Sequence, residues 1–334
     1  MSKITADSLA DSSIFLVADI GGTNARFALA HCENPVPQYV ANYAVGDFQS
    51  FDSLLAQLVG DLEDLNRSNV APVSVCFAVA AITEQPEISF TNNAWRFTAK
   101  SVAARLKCTN ISIINDSAAV ARALPALKAE HLQYIGGGRI QAGKPKVVIS
   151  PGTGTGVATL AFDSEGGPIL LPGEGGHVDF APINYVEAQI FSRLRAQYGR
   201  VSIERLLCGP GIMNIYSALA DIRDLPDTHA TPEAVGFAAQ RGDDSLSVET
   251  METFFSVLGS ASGNLALTLG ARGGVYLAGG IAPLYVDLLR KSDFRARFTA
   301  KGRFADFNRQ IATMVITHPN PGLIGAALVC AESV

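Results

Sequence analysis

Hydrophobic residues recur along the chain with two spacings, one typical of strands and one of helices. Short apolar runs bounded by glycine, proline or polar residues predict strands, and apolar residues three or four positions apart predict helices. The predicted strands span 14–19, 25–30, 38–44, 73–79, 111–115, 147–150, 157–162 and 275–278. The predicted helices span 51–65, 117–123, 185–198, 211–222, 248–269 and 283–291. This alternation is typical of an α/β protein.

The stretch IFLVADIGGTNARFALA, residues 14–30, predicts two strands joined by a turn. An aspartate, Asp19, stands near the end of the first strand. The turn, called here the first glycine turn, consists of Gly21, Gly22, Thr23 and Asn24. Glycines leave room for backbone N–H groups to close around phosphate oxygens and permit positive φ. For this stretch alone, a tight turn in a sheet is the favoured interpretation.

The stretch PKVVISPGTGTGVATLAF, residues 145–162, repeats the same order of strand, turn and strand. Its turn, the second glycine turn, consists of Gly152, Thr153, Gly154 and Thr155. Two copies of one hairpin pattern in a chain predict two similar domains that face each other across a cleft. The repetition also favours phosphate binding over a plain turn.

A third glycine site occurs in LAGGIAP, where a predicted strand runs into Gly279 and Gly280 and Pro283 opens a helix. This arrangement suits an adenosine or its phosphates, although by itself it is an ordinary strand-to-helix turn. The segment GRIQAGKP, 138–145, matches the start of a P-loop, but Pro145 follows Lys144 and a strand replaces the required helix. We interpret that segment as a surface turn.

Asn115 and Asp116 end the predicted strand of ISIINDSAAVARAL and precede a helical run. One interpretation makes Asp116 the N-cap of that helix. The other makes it a general base that accepts a hydroxyl proton during phosphoryl transfer. Both roles are compatible.

The segment LPGEGGHVDFAP, 171–182, carries Glu174, His177 and Asp179 among glycines and prolines, so it predicts a loop that displays polar groups. A neutral sugar requires such donors and acceptors, because each hydroxyl loses water on binding. A metal site is disfavoured, since the segment lacks a second histidine or a cysteine.

Three further residues have simple interpretations when they are taken alone. Glu204 in VSIERLLCGPG reads as a surface charge. Asn92 and Trp95 in FTNNAWRF read as a turn residue and a core aromatic.

Composition limits the class of protein. The 334 residues suffice for two domains, and 48% hydrophobic against 17% charged residues excludes disorder. A net charge of -5 offers no basic surface for nucleic acid. Five scattered cysteines without a CxxC pair predict reduced thiols in a cytoplasm.

The N-terminal residues 1–13 are polar and lack the basic-then-apolar order of a secretory signal, so we expect a flexible leader. Every apolar stretch falls short of the ~20 residues of a membrane helix. We therefore expect a soluble, cytoplasmic protein without a membrane or nucleic-acid partner.

The motifs DIGGTNAR, TNNAW, IIND, GTGTG, LPGEGGHVDFAP, VSIER, CGPG, LAGGI and NPGLIGA follow one another in an order that resembles bacterial glucokinases. These form part of the hexokinase-like group in the actin, sugar-kinase and chaperone ATPase superfamily. The resemblance extends from about residue 14 to the C-terminus. It implies two actin-like (ribonuclease H-like) α/β domains of mixed sheet plus helices around a central cleft. The small domain would comprise 14–115 with 318–334, and the large domain 116–317.

The resemblance also implies a role for each motif. Asp116 would be the catalytic base. The sugar would be bound by Asn92, Asn115, Asp116, Glu174, His177 and Glu204. ATP would be bound by Asp19, Gly21, Gly22, Thr23, Asn24, Gly152, Thr153, Gly154, Thr155, Gly279 and Gly280. Asp19 would hold Mg²⁺ through water.

The implied activity is ATP-dependent phosphorylation of glucose at its 6-hydroxyl, which feeds glycolysis, in a homodimer by family analogy. The related repressor-and-kinase type of sugar kinase continues its E-x-G-H motif into a cysteine-rich zinc site. Here GGHVDFAPINYVEAQ contains no cysteine, so zinc is not expected. The alternatives are a kinase for another hexose or an amino-hexose, and a sugar- or nucleotide-binding regulator without turnover. Asp116 argues against the regulator, which has no need of a base.

Overall fold

The computed structural model describes residues 14–64, 72–90 and 93–334. The leader expected at 1–13 and the candidate Asn92 lie outside these residues. The strands are β1 (Ile14–Ile20), β2 (Asn24–His31), β3 (Asn34–Ala44), β4 (Ser74–Val79), β5 (Ile88–Ser89), β6 (Arg96–Phe97), β7 (Ile111–Asn115), β8 (Leu132–Gly136), β9 (Lys146–Pro151), β10 (Thr155–Phe162), β11 (Pro168–Gly173), β12 (Val275–Leu277) and β13 (Thr313–Ile316). They form mixed sheets covered by helices, which confirms the predicted α/β class.

The α-helices vary from one turn to seven turns in length. They are α1 (Phe51–Asp64), α2 (Ala99–Leu106), α3 (Asp116–Ala123), α4 (Tyr185–Tyr198), α5 (Gly209–Arg223), α6 (Pro232–Arg241), α7 (Ser245–Leu269), α8 (Ile281–Leu284), α9 (Val286–Lys291), α10 (Phe294–Thr299), α11 (Ala305–Arg309) and α12 (Pro321–Glu332). Within the described ranges, no helix is both long and apolar enough to span a membrane.

The chain packs into two compact units. The first extends through Ala126 and includes Pro319–Val334, and the second is Leu127–His318. The boundary therefore follows α3, later than the predicted position 116. The reason is that α3 packs on α12: a Cβ on Gly325 would lie 1.8 Å from the carbonyl oxygen of Ala119. Such an approach of two helices requires glycine.

The first unit contains a five-stranded sheet in the order β3-β2-β1-β4-β7. Strands β1, β4 and β7 run parallel, and β1, β2 and β3 run antiparallel. Side chains alternate across the sheet, so Leu16 and Ala18 pack in the cluster that contains α1. Phe15 and Val17 pack on the opposite face, against α12.

The second unit contains a six-stranded sheet in the order β11-β10-β9-β12-β13-β8. Its first five strands repeat the pattern of the first sheet, with an antiparallel β9–β10–β11 meander and parallel β9, β12 and β13. Each glycine turn therefore joins equivalent strands of two similar sheets. Helices α4, α5 and α7 supply the main apolar core on one face.

The elements that the sequence did not predict include α2, α6 and the interior strand β13, besides short and edge segments. The predicted helix 283–291 is interrupted at Tyr285, where φ is -114° and ψ is 33°. Strand β11 was not predicted, because its sequence PILLPG carries two prolines, which indicate a break. As an edge strand it tolerates them, since one side of its backbone needs no ladder partner.

Candidate active site

Asp19 lies near the carboxyl end of β1 and faces helix α12. It follows Phe15 and Val17 on that face of the sheet. A Cβ on Gly322, in the first turn of α12, would lie 3.0 Å from the Asp19 carboxyl group. Burial raises the pKa of Asp19, and Arg26 on β2 opposes that shift. The carboxylate thus sits at a helix N-terminus, where negative charge is favoured.

The first glycine turn is compact and partly exposed. The N–H of Gly21 donates to the carbonyl of Asn24 at 2.9 Å, and the N–H of Val45 donates to the carbonyl of Thr23 at 2.9 Å. The Thr23 side chain is exposed. The turn is therefore shaped by its own backbone and by the chain after β3.

Asn115 and Asp116 lie at the carboxyl end of β7, on the same sheet edge as Asp19. The register aligns Ile20, Val79 and Asn115, so β1 and β7 end about 10 Å apart, two strand spacings. Parallel strands commonly bind ligands at this edge. Both candidate carboxylates of the first unit thus lie at one edge of its sheet.

The N-cap of α3 is Asn115 and not Asp116. The Asn115 carbonyl oxygen Oδ1 accepts from the N–H groups of Ser117 at 2.9 Å and Ala118 at 3.2 Å. Asp116 is the first helical residue, and its Oδ1 accepts from the Ser117 N–H at 2.7 Å. The capping interpretation of Asp116 is therefore wrong, because its neighbour already satisfies the helix N-terminus.

The second glycine turn is held from outside by the segment after Ser202. The N–H of Thr155 donates to Oε2 of Glu204 at 2.7 Å, and its hydroxyl donates to the carbonyl of Leu207 at 2.5 Å. On the other side, the N–H of Gly209 donates to the carbonyl of Gly152 at 2.8 Å. Glu204, which the sequence alone suggests is a surface charge, thus accepts a hydrogen bond from the backbone of the turn.

The thiol of Cys208 supports the same segment. Burial is the main cause that raises the pKa of Cys208 to about 11. The protonated thiol donates to the carbonyl of Glu204 at 3.0 Å, and its sulfur accepts from the Gly211 N–H at 3.3 Å. The backbone at Glu204 is therefore fixed to the start of α5.

The predicted sugar loop packs directly on the second glycine turn. A Cβ on Gly176 would lie 2.2 Å from the carbonyl oxygen of Thr155. His177 Nε2 lies 3.9 Å from Oε2 of Glu174 and 4.0 Å from Oε1 of Glu204. Three polar residues predicted to bind sugar thus converge beside a turn predicted to bind phosphate.

Arg200 fixes this loop through two contacts, a role that the motif LPGEGGHVDFAP did not indicate. It pairs with Asp179 at 2.7 Å and donates to the carbonyl of His177 at 2.6 Å. Asp179, expected to be displayed from the loop, is exposed and paired with Arg200.

Three glycines of the two turns do not use the positive φ that glycine permits. Gly21, Gly152 and Gly154 do not have positive φ. A Cβ on Gly154 would lie 2.6 Å from Oε2 of Glu204, the end of a flexible side chain that would have to move. Positive φ is therefore not the reason for glycine at these three positions.

Gly279 does have positive φ, +76°, and a Cβ there would lie 2.3 Å from the carbonyl oxygen of Pro151. The third glycine site therefore contacts the strand that leads into the second glycine turn. A Cβ on Gly280 would meet nothing within 4 Å. The surface beside Gly280 is open to a ligand.

Trp95 is a core aromatic, as read from the sequence: it is 4% exposed, and its indole N–H donates to the carbonyl of Phe48 at 3.2 Å. A cavity of about 440 Å³ in the second unit lies beside Tyr185, Glu252 and Arg297. None of the predicted site residues lines it.

The chain is similar to a well-defined group of sugar kinases. The sequence model of one family, described as Glucokinase, matches residues 16–333. A glucokinase from Paramagnetospirillum magneticum is 41% identical, over 95% of this chain and 97% of the relative.

Solved structures extend this similarity to the fold. The crystal structure of a glucokinase from an Antarctic psychrotroph has a TM-score of 0.84 at 32% identity, and covers 96% of this chain and all of its own. A Balamuthia mandrillaris glucokinase in complex with glucose has a TM-score of 0.80 at 23% identity, over 97% and 95% of the two chains. The second comparison supports the fold alone.

Proposed function

The chain belongs to the glucokinase family, and on that premise we propose how its residues carry out phosphorylation of glucose by ATP. It is a glucose-phosphorylating kinase. Transfer to the 6-hydroxyl and entry of the product into glycolysis are parts of the proposal. Neither a kinase for another sugar nor a regulator without turnover is favoured by the relatives.

Glu174, His177 and Glu204 are proposed to bind the sugar hydroxyls, together with Asn115 and Asn92. Carboxylate and imidazole groups replace the water that each hydroxyl loses on binding. The observation that supports the function most strongly is the packing of these acceptors against the second glycine turn. The groups proposed to bind sugar and the turn proposed to bind phosphate thus lie side by side in one unit.

Asp116 is proposed to take the proton of the attacking hydroxyl. Its position after β7, in the first turn of α3, leaves helix capping to Asn115. General-base assistance typically contributes ~10²–10⁴-fold, whereas positioning of reactants contributes as much as ~7–11 kcal/mol. Positioning should therefore supply more of the rate than proton transfer.

The two glycine turns and Gly279–Gly280 are proposed to bind ATP. A magnesium ion is usually held by one or two carboxylates together with substrate phosphates and water. Asp19 offers one carboxylate at a strand end, and the described residues contain no cluster of three metal-ligating side chains. This donor set fits an ion that arrives with ATP. When bound, Mg²⁺ supplies charge neutralisation on the phosphates.

A cytoplasmic location and a homodimer are further parts of the proposal. The five cysteines are all free, which suits a reducing compartment. The homodimer has only the analogy with the family as support, and sedimentation analysis of the purified protein tests it.

ADP release, coupled to an indicator reaction, tests the function. Glucose, mannose, fructose, galactose, glucosamine and N-acetylglucosamine are offered separately with Mg-ATP. We expect turnover that strongly favours glucose. Preference for another sugar would contradict the assignment of glucose as the substrate. No turnover with any sugar would support a regulator without turnover instead.

A further inference from the structure

Glu204 makes two contacts with the two oxygens of one carboxylate. Oε2 accepts the Thr155 N–H at 2.7 Å, whereas Oε1 lies 4.0 Å from His177 Nε2. One oxygen thus belongs to the second glycine turn and the other to the proposed sugar site. The side chain is 30% exposed, so a ligand can reach it.

The carboxylate occupies the position of an anion on that turn. Among the described residues, no hydrogen bond engages the backbone N–H of Thr153 or of Gly154. Together with the N–H of Thr155 they form a set of donors suited to phosphate oxygens. Glu204 fills one donor and adds a negative charge beside the others, which opposes a polyphosphate.

The side chain of Glu204 can change position without a change in the backbone. Its carbonyl accepts from Cys208 Sγ, and Leu207 and Gly209 bond to the two ends of the turn. The distance between the second glycine turn and the backbone of Glu204 is therefore fixed. Only a rotation of the side chain is needed to release the Thr155 N–H.

We infer that Glu204 couples the two substrates: it blocks the second glycine turn until glucose hydroxyls engage its carboxylate. This inference rests on the proposed function, since it requires glucose at His177 and phosphate at the turn. Glucose then tightens nucleotide binding, and by linkage the nucleotide tightens glucose binding by the same factor. The device also disfavours ATP binding when no acceptor sugar is present.

Calorimetric titration with the non-hydrolysable analogue AMP-PNP and Mg²⁺, with and without saturating glucose, tests the coupling. In the unmodified protein we expect glucose to tighten the binding of AMP-PNP by about 5–150-fold, the usual range for coupled sites. In Glu204→Gln, which keeps the size but loses the charge, the glucose-free affinity should rise and the coupling factor should fall toward one. Glu204→Asp, too short to reach Thr155, should give an intermediate result and serves if the glutamine variant does not fold.

Glu174→Gln is the matched control, because Glu174 contacts His177 but makes no hydrogen bond to the turn. This variant should weaken glucose binding and leave the affinity for AMP-PNP in the absence of glucose unchanged. Equal AMP-PNP affinity with and without glucose in an active enzyme would overturn the inference, as would unchanged glucose-free affinity in both Glu204 variants. If the unmodified protein neither binds AMP-PNP nor phosphorylates any sugar, the proposed function is overturned, and the inference with it.

Discussion

The two glycine turns follow a similar sequence pattern, join equivalent strands of similar sheets, and are held differently. The first is closed by its own backbone and by Val45, and its threonine, Thr23, is exposed. The second is held by side-chain and backbone groups between Glu204 and Gly209; of its two threonines, Thr153 is exposed and Thr155, the first residue of β10, is buried. A repeated pattern therefore predicts equivalent strands but not equivalent surroundings.

The surroundings suggest a division of labour between the units. Near the first turn lie the carboxylates Asp19 and Asp116, at one edge of a parallel sheet. Near the second turn lie Glu174, His177 and Glu204, which suit hydroxyl recognition. We therefore propose that the first unit supplies proton transfer, the metal and the amides Asn92 and Asn115, and that the second unit supplies the charged groups that bind the sugar.

Asp116→Asn should have the largest effect on the proposed division. The amide cannot accept the hydroxyl proton, so kcat should fall by ~10²–10⁴. Steady-state kinetics measures the loss. Thermal unfolding should be nearly unchanged because Asn115 caps α3, and a near-normal kcat would remove Asp116 from the chemistry.

Asp19→Asn tests the second carboxylate of the first unit. Loss of a charged partner is worth about 1.5–3 kcal/mol, so kcat/KM for Mg-ATP should fall by ~10–100-fold. A titration of rate against free Mg²⁺ should shift to higher concentration in this variant and not in Asp116→Asn. An unchanged Mg²⁺ dependence would contradict the assignment of the metal to Asp19.

Gly176→Ala tests the contact between the sugar loop and the second turn. The added Cβ would lie 2.2 Å from the Thr155 carbonyl oxygen, and overpacking of this kind costs about 1–3 kcal/mol. Urea unfolding should show that loss, together with a higher KM for glucose. Gly152→Ala is the control for stability, since its Cβ would meet nothing within 4 Å. Equal stability of both variants would contradict the packing described.

Thr155→Val and Thr23→Val compare the buried threonine of the second turn with the exposed threonine of the first, and should have the smallest effects. The valine at 155 removes the hydroxyl that donates to Leu207, at a cost of about 1 kcal/mol. Thr23 is exposed, so its replacement should change stability by less than about 0.5 kcal/mol. Urea unfolding distinguishes them, and equal losses would remove the contrast between the turns.

Local features of this site were readable from the sequence, and long-range ones were not. The strand that leads to Asp19 and the loop that carries Glu174 follow from apolar periodicity and glycine content. The bond from Thr155 to Glu204 joins segments far apart in sequence, so Glu204 read alone resembled a surface charge. Asparagine and aspartate are about equally good N-cap residues, so the sequence does not show which of Asn115 and Asp116 caps α3. The answer depends on the residue at which the backbone becomes helical. Arg200 gave no signal, because a lone arginine after a helix has no specific motif.

The division of labour is tested most directly by calorimetric titration of glucose into Asp116→Asn and Glu174→Gln in the absence of nucleotide. We predict that Asp116→Asn retains measurable glucose binding. Glu174→Gln should bind about 10–100-fold more weakly, as expected for loss of a charged hydrogen-bond acceptor. Unweakened binding in Glu174→Gln, or complete loss of binding in a folded Asp116→Asn, would contradict the assignment of sugar recognition to the second unit.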